Sequence, residues 1–134
     1  MKSRESGMGS RESGKRAHEN LEVWQDAMTL VESIYRLSMS FPDSERFGLT
    51  SQLRRAAVSV PSNIAEGAAR RSTQEYLRFL SVARGSLAEL DTQYQISIRL
   101  GYSESSPALS DLISRVFAKS TALMNVLAKK KGMS

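Results

Sequence analysis

Apolar residues recur every three or four positions through most of the chain, the spacing of a helix face rather than a strand. Val23, Ala27, Leu30, Ile34, Leu37 and Phe41 form one stripe, and Leu21, Trp24, Met28, Val31 and Tyr35 lie beside it. A first helix is predicted from about Leu21 to Ser40, with Asn20 as its N-cap. Its apolar face is wider than one neighbour needs, so contact with two helices or another subunit is expected. Phe41-Pro42-Asp43-Ser44 and then Gly48 break the pattern.

A second helix is predicted over about Leu49 to Arg70, with Thr50 as a cap and Leu49, Leu53, Ala56, Val60, Ile64 and Ala68 on the core face. Pro61 should kink it rather than end it, because the apolar period continues through Ile64. The alternative is two shorter helices split at Val60–Pro61. Ser72-Thr73-Gln74-Glu75 fits a capping box and starts a third helix that should run to about Leu100, with Gly101 as its stop. Tyr76, Leu80, Ala83, Leu87, Leu90, Tyr94 and Ser97 or Ile98 form its stripe, and Ser81, Gly85 and Ala88 suggest a tight crossing. Ser106-Pro107 opens a fourth helix carrying Leu109, Leu112, Val116, Ser120, Leu123 and Leu127. Short connections favour antiparallel neighbours, so the predicted fold is all-α, an up-down-up-down four-helix bundle.

Residues 20–131 would form that single domain, which suits a chain of 134 residues. Residues 1–19 read as a disordered polar tail. They carry SRESG twice, at Ser3–Gly7 and Ser10–Gly14, and cannot bury enough apolar area to offset their ordering entropy. No apolar run is long enough to cross a membrane and no signal-peptide core is evident, so a cytoplasmic protein is expected.

The chemistry on offer is narrow. The chain has no cysteine, and its one histidine, His18, lies at the edge of the tail. The commonest general base and the usual transition-metal ligands are therefore missing from the predicted domain. Glu66, Glu89 and Asp91 are the carboxylates available for acid–base or divalent-metal work, but no Glu-x-x-His element accompanies them. No phosphate loop or dinucleotide fingerprint occurs. Catalysis, cofactors and a metal site are not expected.

The net charge of +5 is spread along the chain, which permits a polyanionic partner without demanding one. The second helix carries the richest polar constellation. Gln52, Arg55, Ser59, Ser62 or Asn63, Glu66 and Arg70 fall three or four residues apart and should make one polar seam. Such a seam could set helix register or bond subunits together. Alternatively, Arg54, Arg55, Arg70, Arg71 and Arg78 could line a basic groove for RNA or DNA. Trp24, Tyr35, Phe79, Tyr94 and Phe117 fall on or beside apolar stripes and are assigned to the core, leaving no evident base-stacking surface. Lys129, Lys130 and Lys131 end the fourth helix, where cations complement the dipole or could touch nucleic acid.

Several ordered blocks carry a resemblance. They are Leu21-Glu22-Val23-Trp24-Gln25, Phe41-Pro42 with Glu45 and Gly48-Leu49-Thr50, QLRRAAVSVPSNIAEG at Gln52–Gly67, Tyr76-Leu77-Arg78-Phe79-Leu80, and Gly85 through Leu90. Over about residues 20–130 the chain resembles the bacterial four-helix-bundle proteins, some of which are encoded in intervening sequences within 23S ribosomal RNA genes. The resemblance implies an antiparallel four-helix bundle and a ring-like homopentamer. The family is similar in fold to an accessory protein of diversity-generating retroelements, which binds nucleic acid and the reverse transcriptase. The expectation is thus a noncatalytic homo-oligomer that binds RNA or DNA, or else a scaffold that binds a protein partner.

Overall fold

A computed structural model describes residues 16–133. Four helices make up most of it: α1 (Glu22–Ser38), α2 (Leu49–Ala68), α3 (Thr73–Arg99) and α4 (Pro107–Met133). Short 3-10 turns at Ala17–Asn20 and Asp43–Glu45 precede α1 and α2. There is no strand among the described residues, and no helix there is long and apolar enough to cross a membrane. Residues 1–15, most of the expected tail with both SRESG copies, lie outside the described residues. The 3-10 turn begins within the expected tail, and His18 packs edge-on against Trp24 at 4.8 Å.

The helices form a closed ring of neighbours: α1 on α2, α2 on α3, α3 on α4, and α4 back on α1. Contacts across the seams descend one helix while they ascend the other. Ser59 meets Ser86, and further on Gly67 meets Tyr76 and Phe79. Glu22 meets Lys119 at 3.0 Å, and Asp26 meets Arg115 at 3.3 Å. The core holds Leu30 and Ile34 of α1, Leu53, Val60 and Ile64 of α2, Leu80, Leu87 and Leu90 of α3, and Val116 of α4, each nearly devoid of solvent contact. Each large aliphatic side chain so buried is worth roughly 1.5–3 kcal/mol of transfer free energy.

The starts of two helices are built differently from the sequence expectation. Asn20 does not cap α1, because the 3-10 turn carries the chain past it and Leu21 takes the extended cap position without a side-chain bond. Thr50 does not cap α2. The Glu45 carboxylate accepts the Leu49 amide at 3.0 Å instead, and Gly48 makes room for it, since a Cβ there would lie 2.7 Å from Glu45 Oε1. The other Glu45 oxygen accepts the Tyr102 hydroxyl at 3.0 Å, so one side chain ties the α1–α2 turn to the α3–α4 turn. Pro61 lies inside an unbroken α2, and the two-helix alternative is not realised.

Elsewhere the ends follow the sequence. Ser72 Oγ accepts the Glu75 amide at 3.1 Å, while the Glu75 carboxylate turns toward Arg70. Gly101, at φ 77°, closes α3 in a Schellman arrangement: its amide bonds the Ile98 carbonyl and the Tyr102 amide bonds the Ser97 carbonyl. Ser106 Oγ caps α4 through the Leu109 amide, and the buried Tyr94 hydroxyl accepts the Ser106 amide at 2.8 Å.

The tight crossing is at Gly67, not Gly85. A Cβ at Gly67 would sit 3.0 Å from both Phe79 Cβ and Tyr76 Cδ1 and 3.2 Å from the Tyr76 carbonyl oxygen. A Cβ at Gly85 would meet nothing within 4 Å, and Ser81, Gly85 and Ala88 all face outward. Gly67→Ala should therefore lower stability by about 1 kcal/mol or more, because the helical carbonyl cannot yield. Gly85→Ala should raise it by roughly 0.5–1 kcal/mol through helix propensity. Urea unfolding midpoints of the two variants test this opposition.

The Tyr102 hydrogen bond also predicts a pH dependence. The bond to Glu45 first, then burial and the nearby negative charge, raise the phenol above its ordinary pKa of 10.0. A raised folded-state pKa means the contribution is complete below about pH 10 and is lost as pH rises through the higher folded value. The stability gap between the wild type and Tyr102→Phe should be flat on the neutral side and shrink in the alkaline range, as read from unfolding midpoints across pH.

Candidate nucleic-acid interface

The surface charges follow from which α2 positions the core leaves free. With Leu53, Ala56, Ala57, Val60 and Ile64 turned inward, Arg54 is half-buried at the α1 boundary and Arg55 points to solvent. Arg70 lies two residues past the end of α2, and the fourteen helical steps from Arg54 to Ala68 alone span about 21 Å at the α-helical rise. The five arginines therefore do not form one continuous groove. They divide into Arg54 and Arg55 at one end of α2, and Arg70, Arg71 and Arg78 around the α2–α3 turn at the other.

Most of these cations are engaged. Arg54 Nε donates to Ser38 Oγ at 2.8 Å, Arg54 Nη2 donates to the Tyr35 carbonyl, and the guanidinium stacks 4.6 Å over the Tyr35 ring. That side chain fastens the end of α1 to α2. Arg70 pairs with Glu66 at 2.6 Å, lies 3.9 Å from Glu75, and sits 4.8 Å over Phe79. Arg78 sits at the same distance from Phe79. The second cluster thus carries its own carboxylates. Arg55 and Arg71 are exposed and make no ion pair among the described residues.

The sequence reading missed two residues at the first cluster. Arg46 and Phe47 lie in the α1–α2 connection, with the Arg46 guanidinium 5.4 Å from the Phe47 ring centroid and Phe47 88% exposed. Together with Tyr35, Arg54, Arg55 and Val58 they line an open groove of about 710 Å³ that no carboxylate lines. Tyr35, assigned to the core from its stripe, is 41% exposed here. The second stripe of α1 is only partly covered, and Tyr35 falls at its uncovered edge. Trp24, Phe79 and Phe117 are half-buried and Tyr94 is buried, as their spacing predicts. Phe47 had no periodic signal, being outside any helix; an aromatic residue directly after the polar run Asp43–Arg46 was the available clue.

Of the expected polar seam, Ser59 makes a hydrogen bond to another helix. The bond joins Ser59 Oγ to Ser86 Oγ at 2.7 Å. Asn63 does not reach a neighbouring helix or loop; its amide donates to the Ser59 carbonyl and hydroxyl one turn back. Gln52 and Glu66, at the two ends, are exposed. Gln52, Arg55, Ser59, Ser86 and Glu89 surround a smaller hollow of about 290 Å³. Glu66, Glu89 and Asp91 do not gather: Glu66 pairs with Arg70, Glu89 lines the hollow, and Asp91 lies beside Gln95. No group of three metal-ligating side chains forms among the described residues.

A profile of the 23S rRNA-intervening sequence proteins matches residues 19–121. The chain belongs to that family. No curated protein matches it. The matched span takes in α1, α2, α3 and the first half of α4, and so contains both arginine clusters and the groove. The exposed Lys129, Lys130 and Lys131 lie beyond it.

One buried polar residue of α3 stands out energetically. Gln93 is 6% exposed, and its Oε1 has no hydrogen-bond partner among the described residues. A buried acceptor left unpaired costs about 1–3 kcal/mol. Gln93→Met should therefore stabilise the isolated chain by about 1 kcal/mol. A thermal melt that instead falls would show that the unpaired oxygen is not a net cost to the fold.

Proposed function

We propose that the protein is a noncatalytic homo-oligomeric helical bundle that binds RNA, or another nucleic acid, through its surface arginines. The observation that carries this reading is the groove between α1 and α2. It presents Arg46, Arg54 and Arg55, and no carboxylate lines it. The other cluster is a weaker candidate, since Glu66 and Glu75 already face Arg70. The family name associates its members with intervening sequences of 23S rRNA, which makes structured RNA the first ligand to try. Assembly into a ring, five-fold as the resemblance implies, would repeat the groove around one particle. Weak phosphate contacts would then act together. A cytoplasmic setting fits this role.

A second reading, a scaffold that binds a protein partner, draws on the large apolar side chains left in water. Met39 is 77% exposed and Phe47 88%. Light scattering and co-purification of the native protein separate the two readings: bound RNA supports the first, and a stoichiometric protein partner without RNA supports the second.

Fluorescence anisotropy with a structured RNA tests the leading reading. Affinity should fall steeply between about 50 and 200 mM salt, as phosphate contacts release counterions. Reversing Arg46 and Arg55 together to Glu should weaken binding at least tenfold while leaving the melting temperature in place, because neither supports the fold through an ion pair. Arg54→Glu is not a clean probe, since that side chain holds Ser38 and Tyr35. No association at low salt, or binding indifferent to the double reversal, would overturn the proposal.

A further inference from the structure

Single apolar side chains on a surface need no explanation, but Phe47 is not single. It shares its groove with Tyr35 and Val58, each 41% exposed, and every aromatic ring there is accompanied by a guanidinium. Arg46 sits by Phe47 at 5.4 Å and Arg54 over Tyr35 at 4.6 Å. Arg55 stands at the same groove with no ion pair of its own among the described residues. The result is an alternation of π faces and fixed cations.

That alternation discriminates between occupants. An apolar helix from another protein would cover Phe47 but would also desolvate arginines without supplying an anion, which is costly. A nucleic-acid duplex would supply phosphates but keeps its base faces stacked inside, out of reach of Phe47. A single strand offers both groups in alternation, a flat base and a phosphate, and aromatic stacking with arginine contacts is how such strands are held.

We infer that the α1–α2 groove takes an unpaired nucleotide, with the base stacked on Phe47 and the flanking phosphates held by Arg46 and Arg55; this rests on the nucleic-acid reading above. Arg54 is a positioning residue in this account. It braces Tyr35 and the end of α1 and so shapes the groove wall from within the fold. The preference is for loops, bulges or single strands, and not for a particular base, because every base has a π face.

The test compares three labelled RNAs of matched length: a blunt duplex, an unstructured single strand, and a hairpin with a 2-aminopurine in its loop. The wild-type protein should bind the single strand and the hairpin about tenfold tighter than the duplex, with a change in 2-aminopurine fluorescence on binding. Phe47→Leu keeps an apolar side chain but removes the π face. It should abolish most of that preference and the fluorescence change, while duplex binding and the melting temperature stay as they were. Phe47→Trp should restore both. Equal affinity for all three RNAs, or a Phe47→Leu variant that behaves as wild type, would overturn the stacking site while leaving the arginine reading intact. Failure to bind any of the RNAs at low salt would remove both. A Phe47→Leu variant that changes the particle's sedimentation would overturn the inference in favour of a contact between protein chains at this groove.

Discussion

The close approach of α2 and α3 is the contact on which the rest of the molecule depends. Leu53, Ala56, Val60 and Ile64 share one core with Leu80, Ala83, Leu87 and Leu90, and the two helices approach closely where Gly67 meets Tyr76 and Phe79. Backbone can come that close only where one partner has no side chain. Small residues at Ala56, Ala57 and Ala83 continue the fit along the seam, and the Ser59–Ser86 hydrogen bond sets its register. Once this pair is locked, α1 and α4 have one shared surface to cover. Their mutual contact is then trimmed by the ion pairs of Lys119 and Arg115 with Glu22 and Asp26, which are partly exposed and add little to stability on their own.

The same seam decides what the cations of α2 do. A helix that buries one stripe must present the residues between, and whether such a residue is free depends on its nearest neighbour. Arg54 lies beside the end of α1 and is spent on Ser38 and Tyr35. Arg70 lies one turn from Glu66 and is neutralised. Arg55 is left over: Glu89 shares a hollow with it but forms no ion pair with it, so its charge is available to a ligand. A count of basic residues therefore overstates the binding surface, because the structural arginines and the presented ones look alike in the sequence.

The helices, their starts at Ser72 and Ser106, and the stop at Gly101 were legible because each rests on local chemistry: a 3.6-residue apolar period, a hydroxyl cap, a positive φ. Nearly every predicted stripe residue is buried or half-buried. What failed depended on contacts between distant residues. The role of Glu45 requires Tyr102, fifty-seven residues away. Gly67 and Gly85 look equivalent as helical glycines, and the crossing partner alone tells them apart. Asn63, a member of the expected seam, bonds its own helix through the carbonyl and hydroxyl of Ser59 one turn back. Of the site, the arginines could be named but not sorted.

Phe47 belongs to neither kind of signal, and that bears on function. Residues that specify the bundle must agree with its period, its caps or its turns. Phe47 agrees with none: it is outside the helices, it leaves its ring in water, and the connection holding it is already fixed by Pro42, Glu45 and Gly48 without it. Arg46 beside it likewise makes no ion pair with a carboxylate among the described residues, although Asp43 and Glu45 are near in sequence. A position that folding does not require, carrying a costly exposed ring and an uncompensated charge on a rigidly anchored turn, is where a ligand's preference can be written into this fold without disturbing the α2–α3 seam beneath it.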